Sequence, residues 1–261
     1  MKNRKLIKIR KEYYGYIDKK ARHLGYLLTD KKPVSKLILD YIAELYEAAK
    51  LDQSYKNNNF ESAYHNPITS DLEFLIARTL IHYSNRNKLN WKIYLRRQVG
   101  KTAPDIRIDL NGKTLVILEI KAKAGWLQPV FSKERFDKDM NKLRNGMSDF
   151  DPREVIKKVK NQLTKYHTTF NISQNRVFVL LPSMKLVHRK KSILTVEDYR
   201  TQFARSSGLP KDNLILLSNN ALLDMSESPP RSEYQVTNNF EYFIEKLTKI
   251  SLKKNAARHF G

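Results

Sequence analysis

Asp105, Glu119 and Lys121 are the residues whose types and spacing could do chemistry together. They fall in one stretch, Pro104 to Lys121, which turns at Asn111-Gly112. Mg²⁺ takes oxygen ligands and keeps several waters, so two acidic side chains plus a phosphate oxygen suffice to hold it. A metal held in that way lowers the pKa of a bound water and offsets charge growing on a phosphate. A lysine on the same face can orient the water or stabilise the transition state. The set points to divalent-metal hydrolysis of a phosphodiester. The plainer alternative is an ordinary hairpin with a charged, solvated face.

The elements that must position these groups are two strands. Ile106, Ile108, Leu110, Val116, Leu118 and Ile120 alternate with the other residues, as a hairpin requires. A strict two-residue turn at Asn111-Gly112 pairs Leu110 with Lys113, sets Asp105 opposite Leu118 and turns Glu119 to the other face. A three-residue loop, Leu110 to Gly112, pairs Asp109 with Lys113 instead. It gives one apolar face and one face of Asp105, Arg107, Asp109, Glu119 and Lys121, so this is the expected register.

Pro104, Asp105, Glu119 and Lys121 resemble the signature of the PD-(D/E)xK, or restriction-endonuclease-like, nuclease superfamily. The resemblance implies an α/β fold: a helix, three strands, a helix and a strand, in a central mixed β-sheet flanked by helices. It implies Asp105 and Glu119 as Mg²⁺ ligands, with Mn²⁺ able to substitute, and the Ile120 carbonyl as a further ligand. Lys121 would assist the attacking water. The first core helix of the family often adds an acidic residue near the metal. Glu73 is the best candidate and Asp71 a weaker one. Ser70-x-x-Glu73 is equally a capping box, with Glu73 bonding back to the Ser70 amide.

The rest of the chain fits around that core. Residues 1–31 are basic and rich in tyrosine, either to track a phosphate backbone or as a solvated helix whose tyrosines pack inward. Pro33 opens a helix to about Lys50, and residues 51–69 read as a surface loop. Residues 1–68 are then a basic helical N-terminal appendage, and residues 69–261 the nuclease domain, with its core at about 70–183 and a C-terminal extension from 184.

A helix is expected from Ser70 to about Tyr83 and a strand from Trp91 to Gln98. Lys123 to Pro152 reads as a long irregular stretch. In restriction-type relatives such a region often touches DNA, which singles out Lys123, Trp126 and Gln128, with Lys133 and Arg135 beyond. Asp151-Pro152 leads into a helix to about Phe170. Gln162 and Tyr166 stand one turn apart on it, where some branches of the superfamily place a Gln-x-x-x-Tyr motif near the DNA. A core tyrosine with a satisfied glutamine is the equal alternative. Strands follow at Arg176–Leu181 and Asn213–Ser218, and helices at Thr195–Ser206 and about Asn239–Lys253.

Bulk composition agrees with a polyanionic partner. The 261 residues carry a net charge of +22, spread along the whole chain. There is no cysteine, so zinc ribbons and disulfides are excluded. No stretch is long and apolar enough to span a bilayer, and no nucleotide-binding glycine motif is present. Together with the resemblance, these features lead us to expect a Mg²⁺-dependent endonuclease acting on double-stranded DNA. Its closest counterpart would be a sequence-specific type II restriction enzyme, a homodimer in a bacterial cytoplasm, with no membrane partner. The alternatives are a nuclease of transposition, repair or recombination, or a non-catalytic nucleic-acid-binding protein on the same fold.

Overall fold

In the computed structural model, one five-stranded mixed sheet runs in the order β1-β2-β3-β4-β5. The strands are β1 (Lys92–Leu95), β2 (Ile106–Leu110), β3 (Lys113–Ile120), β4 (Val177–Leu181) and β5 (Leu214–Leu216). The first three pair antiparallel; β3, β4 and β5 pair parallel. Seven helices accompany them among the described residues: α1 (Arg4–Thr29), α2 (Ser35–Ser54), α3 (Ile68–Arg86), α4 (Lys133–Arg144), α5 (Pro152–Phe170), α6 (Val196–Ser207) and α7 (Asn239–His259). The structure describes residues 4–54, 68–121, 133–148, 151–183, 195–220, 223, 225 and 229–259.

Helices cover both faces of the sheet, so the parallel strands VFVLL and LIL are buried throughout and read as unbroken apolar runs. On one face Ile106, Ile108, Val116, Leu118, Ile120, Phe178 and Leu180 pack with α1, α2, α3 and α7. On the other face Ile117, Val177, Val179 and Leu181 meet Val159, Leu163 and Tyr166 of α5 and Tyr199 and Phe203 of α6. Each such buried side chain contributes about 1.5–3 kcal/mol. The first helices thus share a core with the sheet. Their tie to the C-terminus is polar as well, since Glu241 accepts the Val34 and Ser35 amides at the start of α2, at 2.6 and 3.0 Å.

Local signals set the helix ends. Asp151 caps α5 by accepting the Arg153 amide at 2.8 Å, Pro152 sits at the first turn, and Asn171 closes the helix in the left-handed region. Thr195 and Asp198 form a reciprocal capping box on α6.

Helices α1 and α3 pack closely. A Cβ on Gly25 would meet the His82 Cβ at 2.9 Å and the Tyr83 backbone nitrogen at 3.0 Å, so only glycine allows the approach. Asp18 of α1 spans this seam, bonded to the Arg78 side chain and, at 2.9 Å, to His82 Nε2. The Arg78 hydrogen bond is the main cause that lowers the Asp18 carboxyl below its ordinary 3.8.

Several expectations need correction. The hairpin closes on the two-residue turn, with Asn111 and Gly112 both at positive φ (54° and 75°) and Leu110 paired to Lys113. The three-residue loop does not form. A bulge then restores the expected faces: Asp109 pairs with Thr114 but Ile108 with Val116, leaving Leu115 as the extra residue. Continued from Ile106↔Leu118, the pairing sets Asp105 opposite Glu119, whereas the expected loop would have offset them by two residues.

The stretch from Lys123 to Pro152 is not irregular throughout, because α4 occupies Lys133–Arg144. Its Phe136, Met140 and Leu143 recur at helical spacing within a highly charged segment. The α1 tyrosines do not pack inward. Ile17, Ala21, Leu24 and Leu28 do, while Tyr13, Tyr14, Tyr16 and Tyr26 remain exposed. Their hydroxyls or rings reach Asp71, Phe74, Glu44 and Arg86 respectively.

Candidate active site

Asp105 immediately precedes β2, and Glu119 and Lys121 stand at the C-terminal end of β3, the next strand. Because side chains two apart share a face, Glu119 and Lys121 emerge together on the side that carries α5. The bulge brings Asp105 across to them. Lys121 Nζ lies 2.9 Å from Glu119 Oε2 and 3.5 Å from Asp105 Oδ2, so one ammonium bridges both carboxylates. Asp105 Oδ2 also accepts the Ile120 amide at 2.8 Å, and the Asp105 amide donates to Glu119 Oε1 at 3.3 Å.

Helix α5 supplies the lid of this cluster. The Tyr166 hydroxyl donates to Glu119 Oε1, and Gln162 Nε2 donates to Glu119 Oε2 at 3.3 Å and to the Tyr166 oxygen at 2.8 Å. The Gln-x-x-x-Tyr pair is therefore joined to the Glu-x-Lys strand. Tyr166 is only 1% exposed and directs its polar end at the carboxylate rather than outward. Burial, then the Glu119 charge, raises its pKa, so it stays a hydroxyl donor.

The electrostatics are unbalanced. Two buried acids share one lysine, leaving an excess negative charge. Burial first, then the Glu119 charge, pushes the Asp105 carboxyl up to about 7 from 3.8, against the pull of Lys121. Burial works against the Lys121 charge, but Glu119 and Asp105 outweigh it and raise its pKa. Lys121 is thus an ammonium donor here and not a base.

Glu73 does not cap its helix. Helix α3 begins at Ile68, itself buried, so Ser70 already lies inside the first turn. Glu73 is 1% exposed and is gripped by Arg96, through Nε and, at 2.8 Å, through Nη2. It lies near enough to Asp105 to add to the rise of that carboxyl. Asp71 accepts the Tyr13 hydroxyl of α1 instead. Arg96 was not singled out by the sequence; its signal was the Arg96-Arg97 pair between the first strand and Pro104-Asp105. Lys123, Trp126 and Gln128 lie outside the described residues.

Asp105 and Glu119, with the Ile120 carbonyl as the remaining ligand named by the resemblance, suit a hard cation that draws its other ligands from water and substrate. The bridging position now held by the Lys121 ammonium suits positive charge, and the buried excess negative charge would be relieved by a divalent ion. Among the described residues no group of three or more acidic, histidine or cysteine side chains is placed to hold a metal ion. Likewise, among them no helix is long and apolar enough to cross a membrane. No family model, curated protein or solved structure matches the chain.

Proposed function

We propose that this protein is a Mg²⁺-dependent endonuclease of the PD-(D/E)xK, restriction-endonuclease-like kind, hydrolysing phosphodiester bonds of double-stranded DNA. One observation carries the reading: Asp105 and Glu119 face each other across a hairpin with Lys121 bridging them, in a buried, net-negative notch. A protein of net charge +22 that binds a polyanion gains nothing from such a notch unless a cation fills it. The order helix, strand, hairpin, helix, strand in a mixed sheet, with Gln162 and Tyr166 on Glu119, also supports it.

Asp105, Glu119 and the Ile120 carbonyl would hold Mg²⁺, which supplies Lewis acidity to the phosphate and to the attacking water. Tyr166 and Gln162 fix the Glu119 carboxylate, so it is oriented before substrate arrives. Lys121, on the same face as Glu119, would donate to the attacking water or to a non-bridging phosphate oxygen. Glu73 joins the ligand set only if Arg96 lets go of it.

The test is digestion of a large, sequenced double-stranded DNA in Mg²⁺, beside EDTA and Glu119→Ala controls. Discrete fragments absent from both controls are the expected result and would mark a site-specific, restriction-type enzyme. A Mg²⁺-dependent smear would keep the nuclease and favour a repair or recombination role. No cleavage, with salt-sensitive binding retained, would replace the enzyme with a binding protein.

A further inference from the structure

Next to the acidic notch, on the same face of the sheet, cations and rings alternate in a stack. Arg107 lies two residues beyond Asp105, so its side chain leaves β2 on the same side. Its guanidinium sits 4.2 Å from the Tyr94 ring centroid and 5.2 Å from that of Phe170, at the end of α5. Tyr94 pairs with Arg107 across the β1–β2 ladder and also receives Arg97 at 4.8 Å and Lys92 at 5.6 Å.

The acid available to this stack is small for its charge. Arg107 is 8% exposed, and its Nε lies 3.1 Å from Asp109 Oδ1 without hydrogen-bond geometry, a buried donor left unsatisfied. Asp109 Oδ1 already accepts the Thr114 hydroxyl at 3.0 Å. A guanidinium has five N–H donors in a rigid fork that matches a phosphate. Arg107 is therefore held near an acid but keeps a buried donor that the acid does not satisfy, which a purely structural pair would be expected to avoid. The rings instead hold the guanidinium groups in place through cation–π contact, so little side-chain freedom is lost when an anion arrives.

We infer that Arg107 and Arg97, ordered by Tyr94, form a clamp for backbone phosphates of duplex DNA beside the bond that is cut. This rests on the nuclease reading for the direction of the strand. The edge position of β1 fits it, because Lys92 and Arg97 are exposed there and lead towards Asp105. Tyr94 is a positioning residue: its ring is occupied by cations and is not a platform for bases.

The experiment measures the Kd of the full chain for a fluorescent duplex in Ca²⁺ over a range of salt concentrations. Arg97→Gln and Arg107→Gln should each weaken binding about tenfold. Each should also make the slope of log Kd against log salt shallower by about 1, the signature of one lost phosphate contact. Tyr94→Leu should weaken binding with no charge removed, which a merely structural ring elsewhere would not do. Unchanged Kd and slope in Arg97→Gln, an exposed site where folding is not at risk, would overturn the clamp.

The two readings fail separately. A wild type that cleaves, with Arg97→Gln and Arg107→Gln indistinguishable from it in Kd and slope, sinks the clamp alone. A wild type that binds steeply with salt but never cleaves in Mg²⁺ sinks the nuclease, and the slopes still decide the clamp. A wild type that neither binds nor cleaves sinks both.

Discussion

Two partly buried clusters of acids and bases in this molecule are wired in opposite ways. In the α1–α3 seam one carboxylate, Asp18, meets Arg78 and His82. At the end of the hairpin two carboxylates, Asp105 and Glu119, share Lys121. The surplus of donors holds Asp18 below its ordinary pKa, whereas burial and a second acid drive Asp105 up to about 7. A cluster whose charges are satisfied from within glues helices together. One left short of positive charge is what the proposed metal site requires. Direction alone is not the difference, since burial also raises Asp71, which takes the Tyr13 hydroxyl between α1 and α3; at Asp105 the rise comes with a second acid beside it.

The sharpest way to break that comparison is by mutation. Glu119→Ala and Lys121→Ala should each cut the rate of DNA cleavage by about a thousandfold. Asp18→Asn should lower the Tm and leave the rate unchanged. Cleavage assays beside thermal melts on the same preparations decide this, and an active Glu119→Ala would remove the distinction.

Metal comes next in size. Mg²⁺ at a hundred times its Kd should stabilise the wild type by about 2.7 kcal/mol relative to EDTA. The Tm gain should persist in Asp18→Asn and vanish in Asp105→Asn. Equal gains in all three would place the ion elsewhere.

Tyr166→Phe removes one donor from Glu119 and keeps the ring. A loss of about tenfold in kcat is expected, with the fold intact by circular dichroism. A rate equal to wild type would make the tyrosine ordinary core.

The smallest effect is in pH, and its sign differs between the clusters. A raised carboxyl stabilises the fold fully below its unfolded pKa and loses that contribution as pH rises through the folded value. In EDTA, the wild-type advantage over Asp105→Asn should shrink between 3.8 and about 7. A lowered carboxyl behaves in reverse, so the advantage over Asp18→Asn should shrink as pH falls below 3.8. Melts from below pH 3.8 up to about 7 check both, and parallel trends would contradict the contrast drawn above.

Much of the candidate site was legible because strand periodicity is local. Within each strand, alternation separates Asp105 from Ile106 and Ile108, and Glu119 and Lys121 from Ile120, while the register decides which faces meet. The turn was misjudged because its register depends on Leu115. That residue is fully buried in the core that the sheet shares with the helices on that face, and the packing that holds the bulge there is tertiary. Helix α4 was hidden by its charge, with three apolar residues among nine polar ones. Glu73 was read against its neighbour Ser70, while its true partner Arg96 is distant in sequence and adjacent only after the sheet forms. The same distance concealed the stack of Arg97, Tyr94, Arg107 and Phe170, whose members come from β1 and the residues just after it, β2 and α5.

The bulge at Leu115 has one more consequence. It works as a phase shifter between the turn and the acids, and what it conserves is parity. Removing Leu115 alone would slip β3 by one residue and send Glu119 and Lys121 into the apolar layer. Adding a residue to the turn at the same time would cancel the slip and return both to their own side. Single insertions or deletions in this hairpin should therefore be ruinous, and compensated pairs should be tolerated. The loop at Asn111-Gly112 and the strand beyond it are free to change only in step.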